Sequence, residues 1–253
     1  PLQTPWRTLQ IGDLPTIFSS TMQENLCKPT EMTDLSWIEP GVASWDWGGV
    51  DGVTYAPLTR YEADEKYADM AAKMGWKYIL IDGGWSEYDI QNTINYAHSK
   101  GIKVILWMTA RLSESTSFSF ENMESTLRTW KQWGVEGVKI DFWEDDSRET
   151  MERMELLLKL TAKYKMHVNF HGCTRPSGLR RTYPHLFSYE GILGGENNFW
   201  AEAKYMTAQH NINSILTRNV IGSADFNPVD FASINGRLNK RYSFDQTLGL
   251  SVA

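Results

Sequence analysis

Gly137-Val138-Lys139-Ile140-Asp141-Phe142 has the make-up of a buried strand interrupted by two charges. Side chains alternate along a strand with a period of two, so Lys139 and Asp141 fall on the same face. An unpaired buried charge costs several kcal/mol, so two charges on one strand face are expected to satisfy each other or a ligand. A carboxylate at the C-terminal end of an inner strand is where a parallel α/β barrel carries its chemistry. Asp141 is therefore a candidate nucleophile.

The segments around this strand repeat one rhythm. Val42 to Trp47 and Tyr78 to Asp82 read as strands on either side of a helix over Leu58 to Met74 that Gly75 ends. A helix over Ile90 to Ser99, a strand over Lys103 to Thr109 and a helix over Phe120 to Trp133 lead to the fourth strand. A long helix from about Ser147 to Tyr164 follows, then strands at His167 to Phe170, Leu186 to Glu190 and Asn213 to Thr217, with a helix over Glu202 to His210. Phe244 to Val252 is apolar enough for one more helix or an eighth strand. Strand-helix units of about 25 to 30 residues mark a parallel sheet covered by helices. No Gly-x-Gly-x-x-Gly turn follows the first strand, which weighs against a dinucleotide-binding open sheet. The expected fold class is α/β, a (β/α)8 TIM barrel left incomplete at its C-terminal end. Residues 41–253 would form it. Residues 1–40 fit no unit; Trp6 to Phe18 reads as an extended tail of something upstream.

Composition narrows the partners. The 253 residues carry a net charge of -6, with a pI near 5.4, which disfavours nucleic acid and anionic membranes. No apolar run approaches the roughly 20 residues that span a bilayer. The chain opens on Pro1 without a basic, apolar leader, so an export signal is expected outside this segment. Cys27 and Cys173 form no metal motif and do not fix the compartment. The 11 Trp include Trp45, Trp47, Trp85, Trp107 and Trp143 at strand ends, where flat faces would suit sugar rings or simply fill a core.

Polar residues gather where the strands end: Asp46, Asp82, Arg111, Lys139 with Asp141, His171, Glu190 with Glu196, and Arg218. Parallel strands bring such ends to one face. Each alone could be a satisfied polar residue at a strand-loop junction; their agreement is what points to a shared site. No Gly-x-Ser-x-Gly elbow is present and the five His are scattered, which leaves carboxylate chemistry. Glycoside hydrolysis needs two carboxyl groups, one protonating the leaving oxygen and one attacking the anomeric carbon or activating water. Lys139 would keep Asp141 ionised and could bind a sugar hydroxyl. Glu196, after the glycine-rich Gly191-Ile192-Leu193-Gly194-Gly195, is well placed as the acid partner. Asp46, Asp82, Trp107, Lys139, His171 and Arg218 are the candidate substrate contacts.

Asp82-Gly83-Gly84-Trp85, Val138-Lys139-Ile140-Asp141-Phe142, Phe170-His171-Gly172, Pro176-Ser177-Gly178-Leu179-Arg180-Arg181-Thr182-Tyr183-Pro184 and Tyr189-Glu190-Gly191 resemble glycoside hydrolase family 97 from about Trp37 onward. The strand motifs are shared with other glycosidase families, whereas the block from His171-Gly172 to Glu190-Gly191 is specific. The resemblance implies a calcium-dependent, periplasmic exo-α-glycosidase acting on oligosaccharides, with a β-sandwich domain before the barrel and a small β domain after it. It implies the retaining, α-galactosidase-type branch, since inverting members lack an aspartate where Asp141 stands. By the same resemblance Glu196 is the general acid/base, Glu190 and Glu196 lie at the calcium ion, and its other ligands come from the upstream domain. Asn227-Pro228 departs from the family's more usual Thr-Pro. The alternatives are an α-glucosidase or other α-glycosidase with the same nucleophile, and a non-catalytic glycan-binding barrel fragment.

Overall fold

The computed structural model describes residues 4, 6–47, 58–111, 122–194, 196 and 208–227. They divide into two compact units, Ser36–Thr174 and the pair of segments Pro1–Leu35 and Arg175–Ala253. The fold class is α/β, an incomplete (β/α)8 barrel.

The Ser36–Thr174 unit holds five parallel strands in chain order: β1 (Ala43–Trp45), β2 (Tyr78–Ile81), β3 (Lys103–Thr109), β4 (Gly137–Asp141) and β5 (His167–Phe170). Register sets the geometry of everything that follows. Trp45 pairs with Leu80, Trp107 with Lys139, and Thr109 with Asp141, so the polar strand ends lie side by side. All residues of β2 and β4 are buried, as strands covered on both faces must be.

The helices of this unit begin and end where their termini can be satisfied. In α3 (Arg60–Met74) Thr59 and Glu62 form a capping box, and Gly75 closes the helix at a φ of 70°. Its buried stripe is Ala63, Asp64, Ala68 and Ala71, small residues that let the helix sit close to the strands, with one carboxylate among them. α4 (Ile90–Ser99) and α5 (Met123–Trp133) follow β2 and β3. α6 (Arg148–Tyr164) follows β4, started by Ser147, whose hydroxyl accepts from Thr150 N, and buries Met154, Leu157 and Leu158. α5 starts at Met123, later than the sequence suggests; residues 112–121 lie outside the described set.

In the second unit, α1 (Leu14–Phe18) and α2 (Met22–Asn25) precede β6 (Leu186–Tyr189) and α7 (Ala208–Thr217). Residues 23–28 strap the Pro176–Pro184 block. Gln23 Nε2 donates to Pro176 O at 2.8 Å, Arg181 Nη1 to Asn25 O at 2.8 Å, and Thr182 Oγ1 to Lys28 O at 2.6 Å. Gly178, at a φ of +87°, lets that chain pass, since a Cβ there would meet Gln23 O at 2.8 Å.

Two expectations fail here. Trp6 to Phe18 is not extended throughout: Asp13 accepts from Thr16 N at 3.0 Å and starts α1, with Pro15 in its first turn. Asn213 to Thr217 is the end of α7, not a strand. Ile212, Ile215 and Leu216 stand at helical spacing, and Thr217 Oγ1 closes on Asn213 O. Tyr189, at the end of β6, instead forms an isolated parallel bridge with Ala224. The helix expected over Glu202 to His210 is described only from Ala208, and Phe244 to Val252 lies outside the described residues.

Candidate active site

β4 delivers the two charges that its sequence announced, and both are enclosed. Lys139 is 2% exposed and Asp141 9%. The ammonium of Lys139 lies 2.9 Å from Asp82 Oδ2 and 3.7 Å from Asp141 Oδ2. The closer partner is thus the carboxylate two strands away, not the neighbour on the same strand. Trp45 completes the enclosure of the cation, its ring 4.1 Å from Nζ, a cation–π contact.

Asp82 follows β2 and is held on both oxygens. Oδ2 accepts from Lys139 and from Trp45 Nε1 at 2.7 Å, and Oδ1 from Gly83 N at 2.8 Å. Burial pushes its carboxyl up, but the Lys139 charge and these hydrogen bonds outweigh it and leave Asp82 below the usual carboxylate range. A carboxylate accepts at about four lone-pair sites, so three donors leave Asp82 little room for a ligand.

Asp141 is differently placed. Oδ1 accepts from Phe142 N at 2.8 Å and Oδ2 from Trp107 Nε1 at 3.2 Å. These two donors fix the plane of the carboxylate. The chain turns sharply at once: Phe142 and Glu144 have φ of 61° and 67°, a left-handed region that non-glycine residues seldom occupy. Gly172, just beyond β5, packs against that turn, and its carbonyl accepts from Trp143 N at 2.9 Å. At the rim, Arg111 lies over the Phe142 ring at 4.0 Å and pairs with Glu144 at 2.5 Å, while Phe142 meets Trp107 edge to face. His171 is buried, 6.0 Å from Trp45 between ring centroids.

Asp46 departs from its expected role as a sugar contact. It has no exposure, and its oxygens accept from Asp82 N at 2.7 Å and Arg60 Nη2 at 2.6 Å. Arg60 itself holds the carbonyls of Asp82 and Gly83. This clamp, with Asp64 and Tyr88 beside it, carries no motif that marks it in the sequence. Its signal was Asp64, a charge four residues from Arg60 on the apolar stripe of α3.

In the other unit, Arg218 also acts on protein. Its guanidinium donates to the carbonyls of Tyr189, Glu190, Gly191, Gly222 and Ser223 at 3.0 to 3.3 Å, tying the loop after β6 to the turn after α7. These bonds clamp the loop, at a residue expected to contact sugar. Glu190, at the end of β6, and Glu196 are partly buried carboxylates, hard oxygen donors of the kind calcium takes. Two carboxylates supply at most four of its six to eight oxygens.

A buried lysine thus lies between two carboxylates, Asp82 holding three donors and Asp141 two near a rim. The sequence model described as Glycoside hydrolase 97 matches residues 43–192. The chain belongs to this family. It is 37% identical over 91% of its length to a protein named probable retaining alpha-galactosidase from Streptomyces bingchenggensis. It is 31% identical over 89% of its length to the retaining alpha-galactosidase of Bacteroides thetaiotaomicron. The chain spans 36% of the length of each of these two relatives. Among solved structures, a beta-arabinopyranosidase is 25% identical with a TM-score of 0.69, the match covering 84% of this chain and 35% of that one. A family 97 enzyme from Pseudoalteromonas sp. strain K8 is 23% identical with a TM-score of 0.70, covering 85% and 39%; at that identity it speaks for the fold.

Proposed function

We propose that the whole protein is a retaining exo-α-galactosidase, with Asp141 as nucleophile and Glu196 as general acid/base. The observation that carries the reading is the Asp141 carboxylate at the end of β4, oriented by Phe142 N and Trp107 Nε1. The names of the two curated relatives supply the sugar. Asp141 attacks the anomeric carbon as the bond to the leaving oxygen breaks, and Glu196 gives that oxygen its proton. Glu196 then takes a proton from water, whose oxygen displaces Asp141, so two inversions give net retention. Lys139 and Asp82 form the buried, charge-balanced floor beside the nucleophile.

Glu190 and Glu196 would hold part of a calcium site, the remaining oxygens coming from the substrate, water or flanking β domains of the whole protein. When bound, the ion supplies positive charge near the acid/base group. Chelation should abolish hydrolysis, calcium should restore it, and activity unchanged by chelation would remove the ion from the reading. A periplasmic location is proposed on family resemblance, and fractionation of native cells tests it.

The deciding experiment is a hydrolysis time course by the whole protein on nitrophenyl α-galactoside and α-glucoside, with NMR of the first anomer released. Release of the α anomer from the galactoside is expected, together with azide rescue of Asp141→Gly. Release of the β anomer, or no rescue, overturns retention through Asp141; exclusive cleavage of the glucoside overturns the sugar. A second reading follows from the arabinopyranosidase neighbour, since a β-L-arabinopyranoside has the galacto ring arrangement without its hydroxymethyl group. Preference for the nitrophenyl arabinopyranoside would favour it.

A further inference from the structure

Behind the site, under the ends of β1 and β2, lies a second group of charges that the proposed reaction does not use. Asp46 and Asp64 are both fully buried. Asp46 is engaged on both oxygens, by Asp82 N and by Arg60. Asp64, from α3, accepts on Oδ2 from the Tyr88 hydroxyl. Its Oδ1 is buried with no N–H or O–H donor. Arg60, paired with Asp46, lies over the ring of Tyr88, whose hydroxyl holds Asp64, so the two carboxyls belong to one buried cluster in which the Asp46 charge acts on Asp64. Among the described residues, the charged and titratable groups facing the pair are Arg60 on α3, Asp82 after β2 and Tyr88 after the Trp85–Glu87 turn, with Arg60 lying 5.7 Å from the Tyr88 ring centre.

Among the described residues one cation, Arg60, faces the two carboxyl groups, since Lys139 is already engaged by Asp82. Two buried carboxylates so coupled cannot both ionise without strong repulsion, and a proton held between them removes it. That proton also gives the orphaned oxygen its missing partner. We propose that Asp64 is a positioning residue: its carboxyl shares one proton with Asp46, and the resulting monoanion, matched to Arg60, fixes the end of β2 and so the Asp82–Lys139 pair beside Asp141. The inference rests on the proposed glycosidase reading for its kinetic arm only.

Burial, followed by the Asp46 charge, pushes the Asp64 carboxyl up to about 8, and burial raises Asp46 as well. A carboxyl raised on folding contributes stability that is full at low pH and is lost as pH rises toward the folded value. Asn at position 64 would imitate the protonated acid, its amide donating to Asp46 and its carbonyl accepting from Tyr88.

The test uses the whole protein as wild type, Asp64→Asn and Asp64→Ala. Melting temperature is measured from about pH 5 to 9, and kcat/KM on nitrophenyl α-galactoside over the same range. Asp64→Asn is expected to keep kcat/KM within about twofold at pH 6, with kcat and KM both near wild type. Its melting advantage over wild type should widen as pH rises to about 8 and then stay constant. Wild type should lose kcat/KM above about pH 8, where the pair ionises fully, and Asp64→Asn should not. Asp64→Ala, lacking the donor, should melt lower throughout and lose at least about tenfold in kcat. Parallel melting curves for wild type and Asp64→Asn would overturn the shared proton. Asp64→Ala matching Asp64→Asn would overturn the positioning role, as would a tenfold loss in Asp64→Asn at pH 6. If wild type cleaves no galactoside, the galactosidase reading fails while the melting curves still decide the proton; if Asp64→Ala does not fold, the Asn curve decides alone.

Discussion

Gly172→Ala tests whether the turn after β4 holds the Asp141 carboxylate as the geometry requires. A Cβ on Gly172 would stand 2.6 Å from Phe142 N, 2.7 Å from Asp141 Oδ1 and 2.9 Å from Phe142 Cα. Two of these are backbone atoms of a turn already in the left-handed region, so the new methyl cannot be relieved by one rotamer change. Gly172 has a φ of +49° itself. Left-handed backbone costs an L-residue about 1–2 kcal/mol. Overpacking adds about 1–3 kcal/mol. Together they predict a loss near 3 kcal/mol, on the order of the strain that a packed turn can hold. The kinetic effect should be larger in proportion, because relief comes by pushing the Asp141 carboxylate off its donors, and a shift of roughly 1 Å costs about a hundredfold. Gly101→Ala is the control. Gly101 has a φ of +75° but nothing within 4 Å of a built Cβ, so it carries the backbone strain without the contact. Thermal melts and kcat/KM on nitrophenyl α-galactoside, both on the whole protein, separate the two effects. Both variants should melt lower, and only Gly172→Ala should lose catalysis. Equal kcat/KM in the two variants would refute the claim that Gly172 guards the Asp141 carboxylate.

Lys139→Met leaves Asp82 buried without its cation, which costs about 3–5 kcal/mol when one partner of a buried pair is removed; a variant that melts within a degree of wild type would contradict the pairing. Trp107→Phe keeps a six-membered ring and removes the Nε1 donor to Asp141, so kcat/KM should fall about ten- to a hundredfold, matching a hydrogen bond to a charged group of about 1.5–3 kcal/mol, with a modest loss of stability from the smaller ring. An unchanged rate would mean that the 3.2 Å contact does not orient Asp141. Asp82 is depressed on folding, so its stabilisation is present above about pH 4, the unfolded carboxylate value, and is lost as pH falls through the folded value. Melting curves of wild type and Asp82→Asn should therefore converge below about pH 4, and a gap that persists undiminished to pH 2 would contradict the assignment.

How much the sequence disclosed varied with how local the cause was. β4 was legible because its apolar residues and its two charges share one short stretch. The helix ends were legible where Gly75 and Gly134 mark them, each in the left-handed conformation that closes a helix. The Asn213 to Thr217 segment reads as a strand because its Ile-Leu pair suits a strand as well as a helix, and only the folded α7 separates the two. Arg218 was expected at a ligand because it follows a presumed strand, yet a guanidinium with five donors can equally close a loop on its own carbonyls, and here it does. The α3 clamp is hidden in the sequence, since Arg60 and Asp64 look like an ordinary exposed helical pair until burial is known.

By itself, the sequence determined the parallel α/β plan, the strand that carries Asp141, and the family, because periodicity and motifs are properties of consecutive residues. The tertiary structure decided which carboxylate Lys139 serves. Adjacent positions on one strand face made Asp141 its apparent partner, but the register of β2 against β3 and β3 against β4 brings Asp82 closer, at 2.9 Å against 3.7 Å. The same packing turned Asp46 from a strand-end carboxylate into the buried hinge between Arg60 and Asp82. Pairing of buried charges depends on distances of a few tenths of an ångström and on which donors reach each oxygen, and those are fixed only when separate strands and helices are packed together.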